Sequence, residues 1–450
     1  MAATSSALPE GSTRRDAGVD SRGARRRPGA SDVQQCGIPG TLREATSVLA
    51  ARIAIRRWFM KVLVLSTDFK PRPGGVAELA HQVARGLALR GHQVVVATDK
   101  RSAPDWRDDT QPYAVRRVLN VRRFLSRRNP VGLIEFAVWS LRSRRRLRAM
   151  VGELQPDAVL ATNCNSLWLP VVSASRVPFL QYVVGEDAAV SGRREAPLAR
   201  RGMTRTLGRA SRVIAISDYA SRLVSSLGTD IGKKVSVVPC GVPDESIVPA
   251  GARNGRHGQR LLTVARLELR KGIDTTLRTV ACLVGSIPTL RYTIVGDGPD
   301  KAALQSLAHE LGIYGHVEFT GFVNESQKRE IYLNSDLYVM PSRPGTAGEC
   351  EGFGISFLEA NAMGLPVIGS TAGGIPDAVE HGVNGLLVPP DDPRALAAAI
   401  RTLLSDPEQG RRMALAGQER IRRRFNWQAI AQCVEKELCG AVARSCDVQG

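Results

Sequence analysis

The stretch Met340–Val379, MPSRPGTAGECEGFGISFLEANAMGLPVIGSTAGGIPDAV, decides how this chain is read. Tyr338-Val339-Met340 has the apolar character of a buried strand end, and Pro341-Ser342 stops it. A loop containing Gly and Thr follows. Glu351-Gly352-Phe353-Gly354 then opens a helix expected from about Ile355 to Met363, which Gly364-Leu365-Pro366 ends. Val367-Ile368 begins the next short strand, and a second glycine pair, Gly373-Gly374, sits at its exit.

A strand, a Gly-rich turn and a helix start leave the backbone N–H groups of Gly354, Ile355 and Ser356 without helical partners. With the helix dipole they form a site for an anion such as a diphosphate. Glu351 and Glu359 stand eight residues apart around it, one in the loop and one about a turn inside the helix. A carboxylate accepts hydrogen bonds from neighbouring hydroxyls, which suits a ribose diol or the hydroxyls of a sugar ring. A diphosphate site flanked by two such groups describes a nucleotide-sugar pocket. A lone Gly-x-Gly favours the plainer alternative of a loop before an ordinary core helix with two solvated glutamates. The surrounding residues weigh against that alternative.

Those residues are Glu359-Ala360, Ala362, Gly364, Pro366-Val367, Ser370, Gly373-Gly374, Asp377, Val379, Gly382, Gly385 and Leu387-Val388. With Glu351 they make the segment similar to the E-x7-E signature of retaining GT-B glycosyltransferases of the GT4 type (glycosyltransferase group 1). The resemblance spans about Met60 to Trp427. It implies an α/β GT-B fold, two Rossmann-like doubly wound domains facing across a cleft. The layout expected is an acceptor-binding domain over 60–245, a linker over 246–260, a nucleotide-sugar-binding domain over 261–425, and a helix over 426–450 that returns to the first domain.

Composition bounds the function. The chain has 450 residues, enough for two or three domains. Lys and Arg number 62 against 43 acidic residues, a net charge of +19 that fits an anionic substrate, an anionic membrane surface or nucleic acid. No RNA- or DNA-binding module is evident, so nucleic acid is not expected as a partner. The eight cysteines are scattered without a CxxC pair, which argues for a reducing compartment and against structural zinc. No apolar run approaches about 18 residues, and no signal peptide is evident, so a cytoplasmic location is expected. Residues 1–59 are rich in Ala, Gly, Ser and Arg and are expected to be disordered, with a short basic helix over 42–57 as an option. Met60 is as good a candidate start as Met1, because Met60-Lys61-Val62-Leu63-Val64-Leu65 reads as a first strand.

Gly74 and Gly75 stand before a helix expected from Glu78 to Arg90, followed by a strand from Gln93 to Thr98, a βαβ beginning. By resemblance that glycine pair faces the donor diphosphate and the acceptor. Gly185-Glu186-Asp187 follows a strand over Phe179 to Val184. Relatives carry a histidine where this chain has Val184, which leaves Asp187 as the acceptor-side catalytic candidate. Arg266 and Lys271 come after a strand over Leu261 to Ala265, at the end where doubly wound sheets bind ligands. Two fixed cations there would neutralise a departing diphosphate, the role the resemblance gives them. In relatives the backbone at Phe322-Val323 meets the nucleotide base, which makes Val323 a donor-binding candidate. The arginine-rich region between Arg116 and Arg148 surrounds an amphipathic stretch at 131–139. It fits either a peripheral contact with the inner face of an anionic membrane or an ordinary solvated helix face.

The reaction these residues imply is transfer of a sugar, hexosyl in type, from a nucleotide-sugar donor to a hydroxyl of a glycan, glycolipid or small molecule. Retention follows from the resemblance alone. No Asp-x-Asp follows a strand, so no metal site is expected, and no cofactor is expected because the nucleotide sugar is a substrate. Two alternatives remain at this stage: a non-catalytic nucleotide-sugar-binding protein, and a GT-B sugar-nucleotide epimerase. A nucleotide-dehydrogenase reading is weak, since the first turn lacks G-x-G-x-x-G.

Overall fold

Lys-Val-Leu-Val-Leu over Lys61–Leu65 (β1) has no polar alternation, and four of its five residues are fully buried. A strand covered on both faces belongs inside a parallel sheet, and the computed structural model places it there. The model describes residues 59–72, 74–99, 107–119, 141–142, 145–163, 176–185, 197–249, 259–346 and 348–447. Helix Gly75–Leu89 (α1) follows, then strands Gln93–Asp99 (β2), Ala114–Leu119 (β3), Ala158–Ala161 (β4) and Phe179–Val183 (β5). Helix Pro197–Arg209 (α2), strand Arg212–Ala215 (β6), helix Asp218–Ser225 (α3) and strand Val235–Val237 (β7) complete the first lobe.

The second lobe repeats the plan. It runs through strand Arg260–Val264 (β8), helix Ile273–Leu283 (α4), strand Arg291–Val295 (β9), helix Lys301–Glu310 (α5) and strand Val317–Gly321 (β10). Helix Glu325–Leu333 (α6), strand Leu337–Met340 (β11), helix Ile355–Ala362 (α7), strand Val367–Ser370 (β12) and strand Gly385–Val388 (β13) follow. Helices Pro393–Ser405 (α8), Pro407–Arg420 (α9) and Trp427–Asp447 (α10) end the chain.

The strand orders are β3-β2-β1-β4-β5-β6-β7 and β10-β9-β8-β11-β12-β13, with every pairing parallel. Each order reverses direction once, between β1 and β4 in one sheet and between β8 and β11 in the other. At such a switch point the loops leaving neighbouring strands splay apart and open a crevice for a ligand. The fold is therefore the expected pair of Rossmann-like lobes.

The last helix packs on the first lobe. A Cβ added at Gly86 of α1 would stand 2.5 Å from the Ala431 Cβ of α10. Arg90 Nε donates to Glu435 Oε2 at 2.7 Å, and His92 Nε2 lies 2.9 Å from Glu435 Oε1. Arg212 Nε donates to Glu437 at 2.8 Å. The outgoing and returning crossings touch where Val242 N donates to Phe425 O at 2.8 Å. The outgoing segment is also stitched to the second lobe, since Gln418 Nε2 donates both to Val248 O at 3.0 Å and to Ala362 O at 3.1 Å.

Two local expectations need correction. The first helix begins at Gly75 rather than Glu78, because Gly74 at φ 139° serves as its N-cap. Arg116 and Arg117 lie within strand β3, a strand not expected from the sequence. Arg116 bonds Glu153 at 2.9 Å, and Arg117 bonds Asp108 at 2.7 Å and the Lys70 carbonyl at 2.8 Å. At the other end of that basic region Leu147 and Met150 are buried while Arg145, Arg146 and Arg148 are exposed. The amphipathic stretch at 131–139, the tail at 1–58 and the linker residues 250–258 lie outside the described residues.

The α1–α10 contact is testable. An alanine at Gly86 overpacks the crossing at a cost of about 1–3 kcal/mol, and its better helix propensity returns at most about 1 kcal/mol. Gly86→Ala is therefore expected to lower the urea midpoint. A raised midpoint would show that the two helices are not in contact.

Candidate active site

The site is built at the β8/β11 switch point. After β8 the chain runs through Arg266 into a short 3-10 turn, Leu269–Lys271, and Gly272 at φ 71° admits it to α4. A Cβ on Gly272 would run into the Pro341 carbonyl of the loop leaving β11. The two loops therefore lie against each other, and Arg343 N donates to Arg270 O at 2.8 Å. This apposition sets the Lys271 ammonium on the Glu351 carboxylate. The pair is largely shielded, with side-chain exposures of 12% for Lys271 and 15% for Glu351. Burial alone would push Glu351 up, but the Lys271 charge and its hydrogen bond, the Arg270 charge and the Gly352 N–H hold its carboxyl below the usual range. Glu351 is thus an anion at neutral pH.

Gly354, at φ 90°, is the N-cap of α7, and a Cβ there would run into the Phe357 ring at 2.6 Å. A Cβ at Gly354 would stand 3.7 Å from Glu351 Cγ, so carboxylate and helix start share one corner. Ser356 Oγ accepts from Tyr338 OH at 2.6 Å, which ties the first turn of α7 to β11. Glu359 lies one turn on. Its Oε1 accepts from Lys328 Nζ at 3.2 Å and its Oε2 from Tyr332 OH at 3.0 Å, both on α6.

The first lobe meets this corner through glycine. A Cβ on Gly75, at the start of α1, would stand 3.2 Å from Ile355 Cδ1, whereas one on Gly74 would meet open space. A Cβ on Gly185 would stand 2.6 Å from the Gly352 Cα, and one on Gly352 would strike the Val184 carbonyl. Val184 therefore sits against the residue next to Glu351. The Gly373-Gly374 pair has a similar reason: Gly374 N donates to Glu351 O at 2.8 Å, and side chains there would collide with the Glu351 and Gly352 carbonyls. Asp377 completes the junction by accepting from Asp218 N at 3.0 Å, so a carboxylate of one lobe caps helix α3 of the other.

Lys271, Glu351, Gly354, Ile355, Ser356 and Gly75 are thus brought together. Arg266 is 63% exposed and turns its Nε to Glu268 Oε1 at 3.1 Å, so it is not seated on the carboxylate as Lys271 is. Val323 is half-buried between β10 and α6, beside a Phe322 that is 73% exposed. Asp187 lies outside the described residues. Sequence reasoning missed Arg270, Lys328 and Tyr332. Arg270 adjoins an expected cation, and Lys328 and Tyr332 share a helix face by their i, i+4 spacing. That spacing did not say which element the face would meet.

Two parallel α/β lobes meeting at their switch points, with a cation-held glutamate beside a helix start where they meet, define a GT-B glycosyltransferase. The models for Glycosyltransferase Family 4 and Glycosyl transferases group 1 match residues 73–246 and 254–420, one per lobe. The GDP-mannose-dependent alpha-(1-6)-phosphatidylinositol monomannoside mannosyltransferase of Mycobacterium tuberculosis is 30% identical over 384 residues, covering 82% of this chain and 96% of that one. The glycogen synthase of the same organism is 27% identical over 396 residues, 83% and 92% of the two chains. Among solved structures, Anabaena HepE in complex with UDP and glucose matches with a TM-score of 0.68 at 21% identity, over 84% of this chain and 99% of that one. The chain belongs to the group 1 glycosyltransferases.

The Lys271–Glu351 pair makes a prediction with a definite pH sign. The folded pKa of Glu351 lies below the ordinary value of 4.5, so the pair stabilises fully above that pH, and the contribution is lost as pH falls through the folded value. Without Lys271, burial dominates and raises the carboxyl above its unfolded value, so stability is then lost as pH rises. Lys271→Met is expected to lose about 3–5 kcal/mol at pH 7 and clearly less at pH 4. Denaturant melts at the two pH values check this; an equal loss at both would sink it.

Proposed function

We propose that this glycosyltransferase moves a hexosyl unit from a nucleoside-diphosphate sugar to an acceptor hydroxyl, with retention and without a metal ion. The observation that carries the proposal is the Lys271–Glu351 pair at the start of α7, opposite Gly75 of the other lobe.

Bond cleavage puts charge on the departing diphosphate. In this reading the Ile355 and Ser356 N–H groups, the α7 dipole and the Lys271 ammonium meet that charge, so little reorganisation is needed as it develops. Arg266, held at the surface by Glu268, is placed to exchange that partner for a phosphate oxygen. Together these groups supply the positive charge a metal would otherwise provide. Glu351 is kept ionised, so it acts by accepting hydrogen bonds from donor-sugar hydroxyls and by facing the oxocarbenium-like carbon, not as a general acid. The proton of the acceptor hydroxyl then goes to the departing phosphate oxygen on the face where the new bond forms. That course retains configuration. Glu359 takes the ribose diol, and the backbone at Val323 meets the base. The acceptor enters from the first lobe, past Gly74, Gly75 and Val184. The mannosyltransferase relative, named for a phosphatidylinositol monomannoside, supports a glycan or lipid-linked acceptor.

Glu351→Gln is expected to lower kcat by about 10²–10³-fold, the range for losing one transition-state contact, with nucleotide binding nearly unchanged. Turnover in EDTA should match the untreated enzyme, and NMR of the product should show the donor's anomeric configuration. An inverted product, or activity restored only by added metal, would overturn the mechanism.

A further inference from the structure

We propose that Lys328 and Tyr332 form a two-point clamp on Glu359, and that this clamp lets the site tell a ribonucleotide from a 2′-deoxyribonucleotide. The inference rests on the reading of Glu359 as the ribose ligand and deepens it. Lys328 is a positioning residue here and need not touch the donor.

The geometry is reciprocal. Lys328 Nζ donates to Glu359 Oε1 at 3.2 Å, and Tyr332 OH donates to Oε2 at 3.0 Å. Both donors come from one face of α6, four residues apart. Each carboxylate oxygen therefore has one fixed donor and keeps lone-pair capacity for another. Two parallel acceptor sites of that kind match two adjacent hydroxyls. An unheld glutamate would have to give up its rotamer freedom on binding, which weakens the complex.

The clamp is itself anchored. Tyr332 is 1% exposed and its ring packs 6.2 Å from that of Tyr338. Tyr338 in turn donates to Ser356 Oγ at 2.6 Å, at the start of the helix that carries Glu359. A rigid path thus runs from α6 through β11 to the diphosphate corner. Lys328 also meets Glu325 at 2.9 Å, but Glu325 is 87% exposed while Glu359 is 29% exposed. Burial alone would lower the Lys328 pKa; the charges of Glu359 and Glu325 more than offset it, so the ammonium stays charged. α6 itself starts firmly, with an Asn324–Gln327 capping box.

Isothermal titration with GDP, 2′-deoxy-GDP, UDP and 2′-deoxy-UDP tests the clamp. For a nucleotide that binds the wild type, the ribo form is expected to bind about tenfold tighter than its deoxy partner, as for loss of a hydrogen bond to a charged group. Lys328→Met and Tyr332→Phe should each shrink that ratio to about threefold or less, and Lys328→Arg should keep it. Thermal melts establish that each variant is folded. A merely structural role would weaken ribo and deoxy forms alike and hold the ratio, which overturns the clamp. Glu359→Ala separates the two levels. If it leaves the ratio unchanged, or if neither nucleotide binds the wild type, the ribose reading falls and the clamp with it. If Glu359→Ala collapses the ratio while Lys328→Met and Tyr332→Phe do not, the clamp alone is wrong.

Discussion

The ion pair between Lys271 and Glu351 joins two loops that leave adjacent strands of one sheet, and the rest of the site depends on where it sits. Burying opposite charges rarely gains stability over apolar residues of similar size, because desolvation consumes most of the attraction. The pair therefore makes sense as a device for keeping a carboxylate ionised in a shielded corner. Its placement is enforced from below. Gly272 permits the turn that presents Lys271, and the Pro341 carbonyl occupies the space a side chain would take. Gly354, in the left-handed region and against the Phe357 ring, admits the chain to the neighbouring helix.

Where the two lobes meet, backbone lies against backbone. Gly185 against Gly352, and Gly352 against the Val184 carbonyl, leave no volume for side chains. Apolar and ionic adhesion is added by the face of α10 on α1, with Glu435 and Glu437 at its margin. The junction near the chemistry is held by hydrogen bonds such as that from Asp218 N to Asp377. Burial raises that carboxyl even though it accepts from two α3 backbone N–H groups. One buried apolar cluster nevertheless runs through both lobes, with Tyr182, Ile216 and Val242 of the first and Phe353, Phe357 and Ile375 of the second.

Much of the fold was legible because the signal is local. Val62 to Leu65 and Tyr338 to Met340 are continuous apolar runs, and such runs mark strands covered on both faces. Strand β3 escaped notice because its middle residues are Arg116 and Arg117. Their charges are answered by Glu153 and Asp108, from elsewhere in the chain, so the strand period is masked by ion pairing. The loop and helix start from Glu351 to Ser356 were legible for the same local reason. What each glutamate bonds was not, since Glu351 meets a lysine 80 positions away and Glu359 a lysine 31 away. Arg266 and Lys271 look alike in sequence, and only the turn between them separates an exposed arginine from a shielded lysine.

The two lysine–glutamate pairs differ in burial. Lys271 and Glu351 are both nearly shielded, so their charges are weakly screened and act strongly on whatever enters the corner. Lys328 and Glu359 are more open, at 22% and 29%, so water screens the pair and its value lies in direction more than in strength. A field that stabilises developing charge has to be strong and dry, whereas a contact that measures a hydroxyl pair has to be well aimed. In the proposed mechanism the same two residue types meet both demands because one pair is closed between loops at the sheet's switch point and the other lies between two helices at its rim.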